Sequence, residues 1–135
     1  MDLEQKLESE IVTMLEKGIV EKMEPSQVSW CFPFFWTRET TRRKGRSAVD
    51  FRRLNPNLVY EEIDFPTSEE IIDDIKMPEC YYSKLDLAKA YHQIRTIDPE
   101  NALVIRIKSG YYKFKVIPLR ISTAMAMFQK RIEQF

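Results

Sequence analysis

Apolar positions change their spacing from one segment of the chain to the next, and each spacing predicts a different element. Between Leu3 and Leu15 they recur every three or four residues, as on one face of an amphipathic helix that Gly18 would end. The aromatic run at 31–37 and the segment 47–51 predict two strands joined by a polar hairpin tip. The chain is therefore expected to begin with a helix followed by a β-hairpin.

A loop and a second helix are predicted next. Residues 54–66 are rich in Asn and Pro and predict an extended loop. Thr67 and Glu70 have the spacing of a capping box and would start a helix, which Met77 and Pro78 would end. The isoleucines between these limits give the helix a short apolar face.

The remaining segments predict three more strands and a third helix. Residues 80–86 are interpreted as a strand with Asp86 at its end, before a sharp turn. Residues 102–108 and 111–117 alternate around a Ser-Gly pair and predict a second hairpin. Residues 122–135 have helical spacing. The pattern as a whole predicts an α+β fold with antiparallel hairpins and three helices.

Composition restricts the class of protein. The chain has 135 residues, of which 44% are apolar, as expected of one globular domain. No apolar run reaches the roughly 20 residues of a membrane span, and the acidic N-terminus does not resemble a secretory signal. We expect an intracellular location, in cytoplasm or nucleus, with no membrane partner and with Cys31 and Cys80 as reduced thiols.

The formal net charge of zero conceals strongly segregated blocks. Segments 38–53 and 105–131 each contain seven basic residues, against two acidic residues and none, respectively. Segments 1–26 and 61–79 are acidic, with seven and eight carboxylates. The basic blocks could converge on a phosphate-bearing partner, or they could be solvated faces that balance the acidic blocks. Charge alone leaves both interpretations open.

Few single residues indicate chemistry. Asp86, predicted before a tight turn, could hold a divalent cation or could be a structural turn acid. His92 has no nucleophile or paired carboxylate at a telling spacing, which favours a packed or hydrogen-bonded histidine. Arg42, Arg43 and Lys44 fall on the predicted hairpin tip, where they could contact phosphates.

The order of several motifs resembles the reverse transcriptase of gypsy-type LTR retrotransposons. These motifs are Glu16-Lys17-Gly18-Ile19-Val20, Val49-Asp50-Phe51-Arg52-Arg53-Leu54-Asn55, Tyr82-Ser83-Lys84-Leu85-Asp86-Leu87, Ala90-Tyr91-His92-Gln93-Ile94-Arg95 and Phe128-Gln129. The resemblance implies the fingers, about residues 1–60, and part of the palm, about residues 61–135, of a right-hand polymerase. It implies template-directed addition of deoxynucleotides to a primer 3′-end, with RNA or DNA template-primer, deoxynucleoside triphosphate and the rest of a retroelement polyprotein as partners.

The resemblance also implies roles for individual residues. Asp86 matches the first catalytic carboxylate of a site with two Mg²⁺ ions, and Leu87 would lend its carbonyl to the metal and the nucleotide. Tyr91 would lie under the incoming sugar, and Arg46 would bind the triphosphate. Gln129 would support the template.

Departures from the family pattern modify these expectations. The family carries two further catalytic aspartates in a Tyr-x-Asp-Asp hairpin, and this motif does not occur in the sequence. Arg120 stands where the family has a glycine close to the nucleotide, and Met125 replaces a proline. We therefore expect a polymerase fragment that is inactive alone. The alternatives are a non-catalytic nucleic-acid-binding remnant, an interaction protein, or an unselected pseudogene product.

Overall fold

Three helices and five strands form the regular structure of residues 2–59, 62–76 and 78–134, which are those that the computed structural model describes. The helices are α1 (Leu3–Glu16), α2 (Ser68–Ile75) and α3 (Ala124–Ile132). The strands are β1 (Val20–Met23), β2 (Phe32–Trp36), β3 (Ser47–Val49), β4 (Val104–Ile107) and β5 (Gly110–Phe114). The predicted α+β composition and all three predicted helices are confirmed.

The five strands form one sheet in the order β1-β5-β4-β2-β3. Both predicted hairpins, β2–β3 and β4–β5, are antiparallel. β2 and β4 pair in parallel, with Phe32 opposite Ile105, which the sequence pattern did not predict. The C-terminal hairpin therefore lies between two N-terminal strands, and the sheet crosses the predicted boundary between fingers and palm near residue 60.

Helix α1 begins and ends at the residues that its pattern indicated. Asp2 caps the first turn by accepting a hydrogen bond of 2.8 Å from the Gln5 amide. Gly18, at φ 68°, ends the helix and leads directly into β1. The side chains of Ile11 and Met14 are buried against the sheet. This packing fixes which side of α1 faces the strands.

A single hydrophobic core lies between α1 and the sheet. Its buried members include Phe32, Phe51, Ile105, Phe114 and Ile117. The rings of Phe32 and Phe51 meet edge to face with centroids 5.3 Å apart. Each fully buried large apolar side chain contributes about 1.5–3 kcal/mol to stability. The core thus holds the two hairpins and α1 together.

The prediction of a strand at residues 80–86 is wrong. These residues form an irregular loop in which Tyr81 and Leu85 are almost fully exposed. A strand needs a hydrogen-bonded neighbour, and the described part of the chain places no strand beside this segment. Asp86 therefore does not end a strand.

Helix α2 has the predicted capping box, in which the Thr67 hydroxyl oxygen accepts from the Glu70 amide at 3.2 Å. Its isoleucines nonetheless remain about half exposed, so the expected apolar face has no cover within the described residues. Met77, predicted to end this helix with Pro78, and Phe135, predicted on one side of α3, lie outside the described residues. None of the described helices combines the length and the hydropathy that a membrane crossing requires.

Candidate nucleotide and nucleic-acid sites

A cavity of about 230 Å³, called here the Arg46 cavity, opens beside β3 and the C-terminal half of α1. Charged, polar and apolar side chains share its lining: Glu10, Phe34, Arg46, His92, Pro118 and Arg120. Arg46 comes from the first basic block and Arg120 from the second. Two arginines distant in sequence therefore line one small cavity.

The β2–β3 hairpin fixes the backbone of Arg46. The Arg46 carbonyl oxygen accepts from the Thr37 amide at 2.8 Å, and the Arg46 amide donates to the Thr37 hydroxyl oxygen at 2.9 Å. This pair of hydrogen bonds closes the hairpin just before the tip. The guanidinium is thus carried on a rigid position beside the sheet while its side chain stays exposed.

An asparagine that the sequence analysis did not single out holds the turn of Arg120. Arg120 has φ 69°, a conformation that favours glycine. The Asn55 amide nitrogen donates to the Arg120 carbonyl oxygen at 3.2 Å, and the Asn55 side-chain oxygen accepts from the Ser122 amide at 2.9 Å. Asn55 therefore clamps the turn across 65 residues of sequence. No local pattern marks such a contact, because both of its partners are backbone groups.

His92 forms one wall of the Arg46 cavity and is half-buried. Burial lowers the pKa of His92, the nearby Lys89 lowers it further, and Glu10 opposes the shift. The imidazole is therefore neutral at pH 7. Its buried Nδ1 has no hydrogen-bond partner among the described residues. The interpretation as a packed histidine agrees with this burial.

Asp86 and Leu87 lie in the exposed loop and do not line the Arg46 cavity. Within residues 2–59, 62–76 and 78–134, no group of three or more His, Cys, Asp or Glu side chains could hold a metal ion. A single carboxylate does not provide the oxygen ligands that a pair of Mg²⁺ ions requires. The described residues therefore do not fit a two-magnesium centre.

Neither Tyr91 nor Gln129 lines the Arg46 cavity; Tyr91 packs instead against α3, the helix that carries Gln129. The half-buried Tyr91 ring meets Phe128 of α3 edge to face, with centroids 5.6 Å apart. The Gln129 amide nitrogen donates to a Glu133 carboxylate oxygen at 3.1 Å. Tyr91 directly precedes the cavity-lining His92 in sequence but is not itself among the residues that line the Arg46 cavity.

The hairpin tip presents three basic side chains to solvent. Arg42, Arg43 and Lys44 are exposed, and none of them forms an ion pair within the described part of the chain. The tip is closed by reciprocal backbone hydrogen bonds between Thr40 and Arg43, at 2.9 and 3.3 Å. Its charges are therefore available to an anionic partner.

A second cavity, of about 1000 Å³ and called here the basic groove, opens beside β2 and the β4–β5 hairpin. Its charged lining residues are Asp50, Arg52, Arg53, Arg106 and Lys108, which together give a net charge of +3. The parallel β2–β4 pair brings these residues together, since Pro33 lies opposite Arg106. Residues of both basic blocks therefore line this groove and the Arg46 cavity, as the first of the two interpretations of the charge pattern requires.

Ion pairs compensate part of the charge in the basic groove. Arg52 donates to both Asp50 carboxylate oxygens, the closest approach being 2.5 Å, and this pairing lowers the pKa of Asp50 to about 2. Lys108 pairs with Glu4 of α1 at 3.2 Å. The Arg106 guanidinium lies 6.0 Å from the centroid of the Tyr111 ring. Arg53 and Arg106 consequently contribute most of the uncompensated charge.

Comparison with known proteins identifies homologues over most of the chain. The chain is 30% identical over 129 residues to the retrovirus-related Pol polyprotein from transposon 297 of Drosophila melanogaster. It is 26% identical over 128 residues to the corresponding polyprotein from transposon 412 of the same species. It is 31% identical over 128 residues to the transposon Tf2-3 polyprotein of Schizosaccharomyces pombe. These alignments cover 92%, 90% and 93% of the chain, respectively.

No protein-family model matches the chain. The chain spans only 9–12% of the length of these polyproteins, so their other parts have no counterpart in it. Its homologues are thus retrotransposon Pol polyproteins, and it is similar to one segment of such a polyprotein.

Proposed function

We propose that this chain is the fingers and first palm portion of an RNA-directed DNA polymerase of the gypsy type. In this proposal it binds the triphosphate of a nucleotide in the Arg46 cavity and a nucleic-acid strand in the basic groove. The observation that carries the proposal is the convergence of two separate basic blocks on these two cavities. The similarity to retrotransposon Pol polyproteins supports a place in a retroelement polyprotein, and the motif resemblance to reverse transcriptases suggests template and nucleotide as the ligands of these cavities.

The Arg46 cavity has the chemistry of a phosphate site. Guanidinium groups are planar, permanently charged and able to donate two parallel hydrogen bonds to phosphate oxygens. With a volume of about 230 Å³, the cavity suits phosphate groups better than a complete nucleotide. The sugar and base would then extend beyond its mouth, where Tyr91 is proposed to lie under the sugar.

The basic groove suits a nucleic-acid backbone. Phosphate contacts from Arg53 and Arg106 would position a strand without reading its sequence. Tyr111 offers an aromatic surface on the same lining, of the kind on which unpaired bases stack. The hairpin tip with Arg42, Arg43 and Lys44, together with Gln129, is proposed to add further contacts to the template-primer.

The donor set of the described residues does not fit two magnesium ions. Asp86 and the Leu87 carbonyl are proposed as the only ligands that this polypeptide would contribute to such a metal centre. What the residues present can do is bind: two arginines hold a polyanion, and the basic groove holds a strand. Binding without transfer is therefore the behaviour proposed for this polypeptide alone.

The nucleotide site is tested by measuring the binding of a deoxynucleoside triphosphate by isothermal titration calorimetry. Arg46→Ala removes one bidentate, charge-assisted contact, which is worth about 1.5–3 kcal/mol, and should weaken binding roughly 10- to 100-fold. Arg95→Ala is the matched control, since Arg95 is exposed and lines none of the cavities described above. Equal affinity of the Arg46→Ala and Arg95→Ala variants would show that the triphosphate binds elsewhere.

A second candidate function is that of a non-catalytic nucleic-acid-binding remnant. It is favoured because the described residues do not provide the ligands of a two-magnesium centre. It predicts weak, sequence-indifferent oligonucleotide binding whose affinity falls with salt, with a log–log slope of about 0.7 to 0.9 per phosphate contact. Glu substitutions at Arg42, Arg43, Lys44 and Arg46 together should remove most of this binding. The double variant Arg53→Glu/Arg106→Glu should reduce the salt slope by about 1.5.

Lys84→Glu in the exposed loop is the control for these charge reversals, because Lys84 lines neither the groove nor the Arg46 cavity. It should leave both the affinity and the salt slope unchanged. Binding that responds neither to salt nor to either set of reversals would identify the basic blocks as solvated faces.

A further inference from the structure

One carboxylate stands among the cationic and neutral groups of the Arg46 cavity. Glu10 of α1 lines it together with Arg46, Arg120 and the neutral His92, which gives the lining a net charge of +1. No ion pair joins Glu10 to either arginine within the described residues. Glu10 therefore acts on the cavity electrostatically, without an ion pair to Arg46 or Arg120.

The position of Glu10 is fixed by the packing of its helix. Ile11, the next residue, is 1% exposed in the core. Two contacts tie the first half of α1 to the β4–β5 hairpin: a Glu8 carboxylate oxygen accepts from the Ser109 amide at 3.2 Å, and Glu4 pairs with Lys108 at 3.2 Å. Rotation of α1 that would carry Glu10 away from the cavity would break these contacts and expose Ile11.

We propose that Glu10 is a specificity-determining residue of the Arg46 cavity, whose carboxylate opposes the anionic ligand and limits the affinity for polyphosphates. This inference rests on the proposed function of the cavity as a triphosphate site. The repulsion between a fixed carboxylate and a ligand grows with the charge of the ligand. Glu10 therefore weakens the binding of a triphosphate or pyrophosphate more than that of a monophosphate.

A limit on affinity has a use in a site that must be emptied repeatedly. Charge-assisted hydrogen bonds from two arginines favour a bound polyphosphate and slow its release. A resident carboxylate shortens the time that a polyphosphate stays bound while leaving the arginines to orient it.

The test compares the wild type, Glu10→Gln, the control Glu16→Gln and Arg46→Ala in titrations with deoxythymidine triphosphate, inorganic pyrophosphate and inorganic phosphate. Glu16 lies on the same helix, is exposed and does not line the cavity. Glu10→Gln should tighten triphosphate binding about three- to tenfold and phosphate binding less than twofold. Glu16→Gln should change none of these affinities, and added salt should reduce the gain of Glu10→Gln.

A second measurement reports on the carboxylate without any ligand. Glu10 raises the pKa of His92, so Glu10→Gln should shift the NMR titration of the His92 ring to lower pH. An unchanged His92 titration, or an equal gain for all three ligands, would overturn the proposal. Equal affinities of Glu10→Gln and Glu16→Gln for triphosphate would overturn it as well.

The same experiment separates this inference from the proposed function. If Arg46→Ala binds triphosphate as the wild type does, the cavity is not the triphosphate site and both proposals fail. If Arg46→Ala loses binding while Glu10→Gln matches the wild type, the proposed function stands and the role of Glu10 is refuted.

Discussion

Arg120 combines an unusual backbone conformation with a position on the wall of the Arg46 cavity. Its φ of 69° costs a residue with a side chain about 1–2 kcal/mol relative to the ordinary helical region. Asn55 holds the turn in place through two hydrogen bonds. An arginine thus occupies a position where the backbone conformation favours glycine. We therefore expect its side chain to contribute to phosphate binding in the cavity.

Two substitutions separate the backbone of Arg120 from its charge. Arg120→Gly and Arg120→Ala both remove the guanidinium, so both should weaken triphosphate binding by a similar factor, roughly tenfold. Only glycine relieves the strained backbone, so Arg120→Gly should have a free energy of unfolding about 1 kcal/mol higher than that of Arg120→Ala. Urea denaturation measures this difference. If the two variants are equally stable, the turn carries no strain; if both bind triphosphate normally, Arg120 is not a ligand of the phosphates.

Gly45 is a second residue whose identity the packing dictates. A Cβ at this position would overlap Trp36 Nε1 and lie 2.8 Å from the Thr37 carbonyl oxygen. Lys6 of α1 lies over the same Trp36 ring, 5.5 Å from its centroid. The hairpin tip is thereby closed over Trp36 one residue before Arg46, which explains how a polar loop can position a binding side chain.

At the scale of elements, the loop 80–86 and strand β3 differ in the hydrogen bonding of their backbones. The amides of β3 face β2, whereas the loop is exposed along its whole length. We expect hydrogen exchange to be faster at Tyr82 to Asp86 than at Val49 to Phe51, by several orders of magnitude. Mass spectrometry of exchanged peptides measures both segments in one sample. Equal protection of the two would show that residues 82–86 pair with a neighbour in solution.

Local patterns predicted the elements that local forces build. The helical spacing of α1, the capping box of Thr67 and the Ser-Gly turn at residues 109–110 all act within a few residues, and each prediction is confirmed. The segment 80–86 has the composition of a strand, but composition does not supply a pairing partner. Its prediction failed because strand formation depends on a neighbour distant in sequence.

The candidate site was predictable only in its parts. The sequence indicated Arg46 by resemblance and two basic blocks by counting. That Arg46 meets Arg120 and Glu10 in one cavity, and that Arg53 meets Arg106 in the basic groove, follows from the β2–β4 pairing and from the packing of α1. Such long-range contacts leave no signal in the spacing of single residues.

For the whole molecule, the separation of binding from chemistry makes a direct prediction. A primer-extension assay with this polypeptide alone should show no incorporation above background with Mg²⁺ or Mn²⁺, because Asp86 has no set of metal co-ligands among the described residues. Asp86→Asn should behave like the wild type in that assay. Template-dependent incorporation that Asp86→Asn abolishes would contradict this expectation and would restore Asp86 as a catalytic residue.

The strand order β1-β5-β4-β2-β3 has a consequence for the way this chain folds. Strands β1, β2 and β3 come early in the sequence, but the two strands that join β1 to β2 lie much later, at residues 104–114. Until residues 104–114 are in place, Val20 lacks its partner Phe114 and Phe32 lacks its partner Ile105, so apolar surface on β1 and β2 stays uncovered. Its sheet must close in a late step that brings distant segments together, and such topologies fold slowly.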